Sequence, residues 1–221
     1  MIQSIVPLFP EIGKALEESF YMMICTLSIA AVFGIPLGTV LYLIRPGSIM
    51  ERRNLYIVFD ALVNVVRSFP FLILMIAIIP LTRLLIGTAL GTTAVIVPLS
   101  ISAIPDFARL MEQVLMDVNH GVVEMAEAAG ANTFQIIWKV LYREARSGMV
   151  NAATIISVSF FSYSAVAGLV GGGGIGDFAI RYGYYRYQTD VMVFTVVLIV
   201  MIVQIIQTVG RHIVHRLDKR N

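Results

Sequence analysis

Four stretches of the chain carry no formal charge: Ser19 to Ile44, Leu84 to Pro105, Ser147 to Gly176 and Val191 to Gly210. Each reaches the ~20 residues that an α-helix, rising ~1.5 Å per residue, needs to cross a hydrocarbon core of ~30 Å. A fifth run, Ser68 to Thr82, is too short by itself and must extend back through Arg67 and Asp60 toward Tyr56. Backbone groups in lipid have to be satisfied within their own segment, so these runs read as helices. The pattern predicts an all-α integral membrane protein with five transmembrane helices, near 18–44, 56–81, 87–115, 149–170 and 190–212. Residues 1–17 then form a short external segment, 18–212 the membrane domain, and 213–221 a basic cytoplasmic tail. Glu11, Glu17 and Glu18 precede the first span and no basic segment does, so that run is expected to be a span and not a cleaved leader.

The longest polar interruption, about 116–148, is too long for a simple connection. Its pattern resolves into two helices. The first, Ala-rich, ends at Ala129, with Gly130 placed as the left-handed residue that stops it. Asn132 or Thr133 can cap the second, and Gln135 stands three beyond Asn132 as in a capping box. Phe134, Ile137, Trp138 and Leu141 repeat at i, i+3, i+4 and i+7, which predicts one apolar stripe. A helix pair with a glycine corner has the shape to enter a groove on a partner.

Within the spans, Gly34 and Gly38 form a small-xxx-small pair that lets another helix approach, and Pro36 between them permits a kink. Asp60 and Arg67 lie two turns apart on one side of the second span. An ionisable group at mid-membrane costs roughly 2.5–3.5 kcal/mol on insertion scales, so such groups face protein or a water-filled cavity. Arg67, beside Ser68-Phe69-Pro70-Phe71, suits either an inter-helix contact or the lining of a passage. Asp106 and Arg109 are spaced for a local ion pair. The fourth span carries Ser157, Ser159, Ser162, Tyr163 and Ser164, a polar streak unusual for a lipid-facing helix. It runs into a glycine-rich segment with a formal GxGxxG at Gly171, Gly173 and Gly176. A dinucleotide site needs that motif within a βαβ unit, which is lacking here. Glycines at the end of a span instead permit tight turns and close backbone approach. The tyrosines that follow, Tyr182, Tyr184, Tyr185 and Tyr187, suit an aromatic belt or a docking surface.

Composition agrees with a membrane location: 14% of residues are charged, against about 25% in soluble domains. With the C-terminus inside, eleven of the 16 Lys and Arg fall in the segments 45–55, 109–150 and 211–221, and only Lys14, Arg83, Arg181 and Arg186 in external ones. The positive-inside rule therefore places the N-terminus outside and the C-terminus in the cytoplasm. The basic tail suits a membrane surface better than nucleic acid. Cys25 is the single cysteine, inside the first span, and reads as a small apolar residue. His120, His212 and His215 lack partnering cysteines, and no metal site is expected. No constellation of acid, base and nucleophile converges, which disfavours a membrane-embedded enzyme. A simple channel would have no use for the projecting helix pair. No phosphate-binding GxxxxGK[ST] motif is present, so the chain cannot by itself be an energy-coupling ATPase.

Glu124, Ala126, Gly130 and Val140 resemble the EAA loop of permease subunits of ABC importers: Glu-Ala-Ala, a Gly six after the Glu, and an apolar residue ten after that. Met125 replaces the first Ala, and Tyr142-Arg143 stands where the family has Leu-Pro. Over roughly residues 18 to 215 further segments resemble the D/L-methionine branch of these permeases. Among them are Leu41-Tyr42-Leu43-Ile44-Arg45-Pro46-Gly47, Arg67-Ser68-Phe69-Pro70-Phe71, Tyr163-Ser164-Ala165 and Gly171 through Gly176. The resemblance implies a type I importer permease that pairs with itself and translocates methionine by alternating access across a bacterial inner membrane. Two cytoplasmic ATPases would bind ATP and Mg; this chain would hold no cofactor. A periplasmic or lipid-anchored binding protein would deliver the substrate. Glu124, Ala126, Ala128, Gly130, Ala131 and Thr133 would couple to the ATPase. Tyr163, Ser164, Val166 and Arg67 would line the path or gate, and Gly173, Gly176, Tyr182 and Tyr184 would meet the binding protein. An importer of another amino acid or small metabolite is the alternative within the class.

Overall fold

The first apolar run continues a helix that has already begun. In the computed structural model, which describes residues 5–218, a short 3-10 turn at Val6–Leu8 leads into α1, Phe9–Ile44. Pro10 stands near the N-terminus of α1, where its missing N–H costs nothing. The helix passes through the expected limit at residue 17 without a break. It ends at Arg45-Pro46-Gly47, where Gly47 takes a positive φ of 77°.

The second span differs from its expected form. In place of one helix over 56–81 there are α2, Arg53–Arg67, and α3, Phe71–Ala77, bent by 97° at the intervening break, followed by α4, Ile79–Ile86. The cause is local. Pro70 has no N–H to continue the ladder and disfavours helical backbone at the residue before it. The Ser68 hydroxyl meanwhile donates to the Asn64 carbonyl and closes the last turn of α2. Gly87 then ends α4 with a φ of 84°.

Among the described residues, four continuous helical stretches are long and apolar enough to cross a membrane: Val6–Ile44, Thr92–Met116, Arg146–Val170 and Thr189–Leu217. The bent α2–α3 pair makes five if it counts as one span. They comprise α1, α5 (Thr92–Met116), α8 (Arg146–Ala167, extended by a 3-10 turn at Gly168–Val170) and α10 (Thr189–Leu217). Between α5 and α8 lie α6, His120–Ala128, and a helical run over 133–144, α7, whose middle (Ile136–Leu141) is π-helical. Before α10 lie α9, Gly174–Phe178, and a π-helical turn, Ala179–Tyr184. No strand occurs among the described residues. Helix α10 carries the expected tail as far as Leu217; Lys219 and Arg220 lie outside the described residues.

The most extensive helix pairing is α1 against α5. In lipid there is no hydrophobic drive between apolar helices, so close van der Waals contact has to hold them. Gly34 and Gly38 supply it. A Cβ at Gly34 would lie 2.9 Å from the Phe107 Cβ, and one at Gly38 would run into the Ala108 carbonyl. Around this crossing Met22, Ala30, Leu99, Ala103, Phe107 and Phe160 form the central core. A second cluster, with Phe161, Ile175, Phe178 and Val191, ties α8, α9 and α10 together. A third, at the opposite end, joins Leu43, Met111 and Leu115 of α1 and α5 to Val123, Ile136 and Leu141 of the helix pair.

Candidate functional site: the helix pair and the polar cavity

The helix pair is built from backbone rules. Asn119 caps α6 by accepting from the Gly121 N–H at 2.9 Å. At the other end Gly130 takes a φ of 78°. The Gly130 N–H then donates to the Glu127 carbonyl at 2.9 Å and the Ala131 N–H to the Ala126 carbonyl at 3.0 Å. These are the two bonds of a Schellman turn. Asn132 and Gln135 form a full capping box: Gln135 N–H to Asn132 Oδ1 at 2.9 Å, and Asn132 N–H to Gln135 Oε1 at 3.0 Å.

The corner presents Glu124, Ala128 and Gly130 to the outside, while Ala126 and Ala131 pack on the third core cluster and Thr133 is half-buried. Glu124 pairs with His120 at 3.0 Å. Met125 is 65% exposed beside them. The expected stripe of Phe134, Ile137, Trp138 and Leu141 does not form a single face. Ile136 and Leu141 are buried, whereas Phe134 and Trp138 are exposed. A π-helical turn is wider than an α-turn, so residues five apart, 136 and 141, come to share the inner side. The rings of Phe134 and Trp138 lie on the outer side with centroids 6.1 Å apart, and the half-buried Tyr142 follows at 5.2 Å from Trp138. The Tyr142 hydroxyl lies 2.7 Å from Thr39 Oγ1 and so bonds the pair directly to α1.

Deeper in the molecule, polar residues from α2 and α5 meet. The expected local pair between Asp106 and Arg109 is absent. Arg109 pairs instead with Asp60 of α2 and, at 2.6 Å, with Glu112, and it donates to Asn64 Oδ1 at 3.1 Å. Asp106 receives Arg67 Nε at 2.8 Å. A spacing of three satisfied both 106–109 and 109–112, and the facing charges on α2 decided between them. Glu112, fully buried, also accepts from the Tyr56 hydroxyl at 3.0 Å. Sequence reasoning passed over it; its position three residues after Arg109 was the available signal.

Beside this network a cavity of about 400 Å³ is lined by Asn64, Arg67, Ser68, Phe69, Phe71, Ser102, Asp106 and Tyr163. The Tyr163 ring stacks on Phe71, with centroids 4.9 Å apart and planes 12° from parallel. Arg67 and Tyr163 thus come together, and Arg67 both makes an inter-helix contact and lines the space. Ser164 is turned away: fully buried, its hydroxyl donates to the Phe161 carbonyl at 2.7 Å. Val166 is half-buried and does not line the cavity.

At the far end the glycine segment is folded onto α1. The Gly174 N–H donates to Glu18 at 2.8 Å and the Ile175 N–H to Ser19 Oγ at 2.9 Å. Gly173 lies half-buried beside Glu18; Gly176 is buried with no room for a Cβ against the Ala165 backbone. Tyr182 is buried and donates its hydroxyl to Glu11. That hydrogen bond, then burial, holds the Tyr182 phenol above its ordinary pKa. Tyr184 is 64% exposed. The role of Glu18 and Ser19 was not visible in the sequence because their partners are more than 150 residues away.

Long apolar helices around a polar cavity, with a capped helix pair fastened to the spans and left bare at its tip, define the membrane subunit of a transport system. The chain belongs to the family of binding-protein-dependent transport system inner membrane components, which it matches over residues 34–221. It is 48% identical over 203 residues to a probable D-methionine transport system permease protein of Vibrio cholerae, covering 92% of this chain and 90% of that one. The corresponding protein of Pasteurella multocida is 42% identical over 95% of this chain and 96% of its own length. A solved inward-facing MetNI methionine ABC transporter superposes with a TM-score of 0.94 at 40% identity, covering 96% of this chain and 99% of that one. An amino acid ABC transporter crystallised with histidines shares the fold alone, with a TM-score of 0.72 at 17% identity. The chain is thus an ABC importer permease subunit of the inner membrane, with the type I fold.

Proposed function

We propose that this chain carries methionine, in both D and L forms, through the bacterial inner membrane by alternating access. It works as a homodimer on two cytoplasmic ATPases, which bind ATP and Mg, and receives substrate from a periplasmic or lipid-anchored binding protein. Residues 1–17 lie outside, 18–212 form the membrane domain, and 213–221 lie in the cytoplasm. The observation that carries this reading is the helix pair. Its corner at Gly130 is bare, while Val123, Ile136 and Leu141 are buried against α1 and α5. A push on the exposed Glu124, Ala128 and Gly130 is therefore passed to the spans through Ala126, Ala131 and the packed residues beneath. Thr133, in the first turn after the capped corner, holds the direction of α7. Methionine as the substrate is supported by the named activity of the relatives.

On the outer side, the exposed Tyr184 is assigned to contact with the binding protein, and Gly173, Gly176 and Tyr182 give the docking loop its shape. Tyr163 and Arg67 line the path; Ser164 and Val166 set the position of α8 at the gate. The test is reconstitution. Purified with its ATPase and binding protein in proteoliposomes, the chain is expected to take up methionine only when ATP is supplied. Uptake without ATP, or by the permease without any ATPase, refutes the proposal.

A further inference from the structure

The two ion-pair systems between α2 and α5 differ in one respect that bears on the substrate. Around Arg109 every charge is answered: Asp60, Asn64, Glu112 and Tyr56 close a network on the guanidinium and on each other. Arg67 and Asp106 are joined by one contact, Arg67 Nε to Asp106 Oδ1. The other guanidinium nitrogens and the second carboxylate oxygen have no hydrogen bond or ion pair among the described residues. Both side chains are partly exposed, at 38% and 28%, and both line the 400 Å³ cavity. Each side chain therefore keeps polar atoms open to that space.

We propose that Arg67 and Asp106 form a transient site for the head group of a zwitterionic α-amino acid. The ligand's carboxylate takes the free edge of the Arg67 guanidinium, a geometry that suits two parallel charge-assisted hydrogen bonds. Its ammonium group takes the Asp106 carboxylate. The ligand thus substitutes one charge pair for another, and neither protein charge is left unpaired in a low-dielectric space. Asn64 and Ser68 offer neutral polar atoms around the head group, and Ser102 lines the same space without being needed by it. The stacked Phe71 and Tyr163 rings, with Phe69, form an apolar wall, which suits an aliphatic or thioether side chain. The ligand class is therefore a free amino acid with an apolar or sulfur-containing side chain and both ionic groups unmodified. When it leaves, Arg67 and Asp106 pair again, so release does not strand a charge.

This inference rests on the importer reading above, and its test keeps the two separable. In a Cys25→Ser background, the thiol introduced by Ser102→Cys is alkylated with a membrane-permeant maleimide in proteoliposomes holding the whole transporter. L-methionine at about twice its dissociation constant is expected to slow labelling about threefold by mass action. N-acetylmethionine, which lacks the ammonium, and methioninamide, which lacks the carboxylate, are expected to leave the rate unchanged. Adding Arg67→Gln or Asp106→Asn should abolish protection by methionine in transporters that still co-elute with the ATPase. Equal protection by the analogues, or protection that survives either substitution, overturns the site. The analogue comparison needs no substitution in the pair, so it decides the matter even if both variants fail to assemble. Methionine uptake is measured in parallel liposomes of the Cys25→Ser protein that keeps Ser102. Uptake without protection refutes the site alone, and protection without uptake refutes the transport reading alone.

Discussion

Gly130 has open space around its α-carbon: a Cβ there would meet nothing within 4 Å. What fixes glycine at the corner is the left-handed backbone, which costs other L-residues roughly 1–2 kcal/mol, and Asn less. Gly130→Val is therefore expected to insert and bind ATPase yet uncouple ATP hydrolysis from uptake, while Gly130→Asn keeps most coupling. The measurement is methionine transported per ATP hydrolysed; equal ratios for Val, Asn and Gly would show that the corner's backbone is irrelevant. This corner was legible in the sequence, where Asn132 and Thr133 both stood as candidates for the cap that Asn132 takes. Every bond it uses joins residues within about five positions, where local geometry rules hold. Arg67, Asp106, Arg109 and Glu112 were not legible in the same way. Their partners were chosen across the gap between two helices.

At the scale of elements, the α1–α5 crossing is set by backbone approach at Gly38. A single methyl at that position collides with the Ala108 carbonyl, so the two helices must separate or rotate. Gly13, also in α1, has nothing within 4 Å of its would-be Cβ. Gly38→Ala is expected to lower the thermal unfolding temperature of the purified transporter by several degrees, with a loss of about 1–3 kcal/mol as for overpacked cores. Gly13→Ala should leave it unchanged. Unfolding temperatures measured side by side check this, and an undiminished Gly38→Ala variant would contradict the close crossing. The sequence marked Gly34 and Gly38 as a contact face but could not say which helix would meet it. It likewise marked Pro70, yet a proline in a membrane helix is compatible with a kink or a full break. The structure shows a full break with a 97° bend, and Ser68, Phe69 and Phe71 at that break line the polar space.

At the scale of the whole molecule, the coupling role proposed for the helix pair requires that it move with the spans. Leu141 is fully buried where α7 meets α1 and α5. Leu141→Ala leaves a void and is expected to cost about 2–5 kcal/mol. The predicted result is a lower unfolding temperature and fewer methionines carried per ATP, even where ATP hydrolysis continues. An unchanged transport ratio in a destabilised variant would mean that the pair transmits nothing through this core.

What the sequence determined by itself follows from rules that act over short distances. Charge-free length implies helices, and a glycine between two capped segments implies a corner. Pairing was decided in three dimensions. Arg109 met Asp60 and Glu112 in preference to Asp106, Glu18 and Ser19 closed the glycine segment, and the π-turn moved Phe134 and Trp138 to the outer side. Apolar character tells a helix that it may enter lipid without naming its neighbour, because lipid and protein are equally apolar to it. The neighbours are selected by close packing and by the few charges that cannot be left alone, and both exist only once the helices stand side by side.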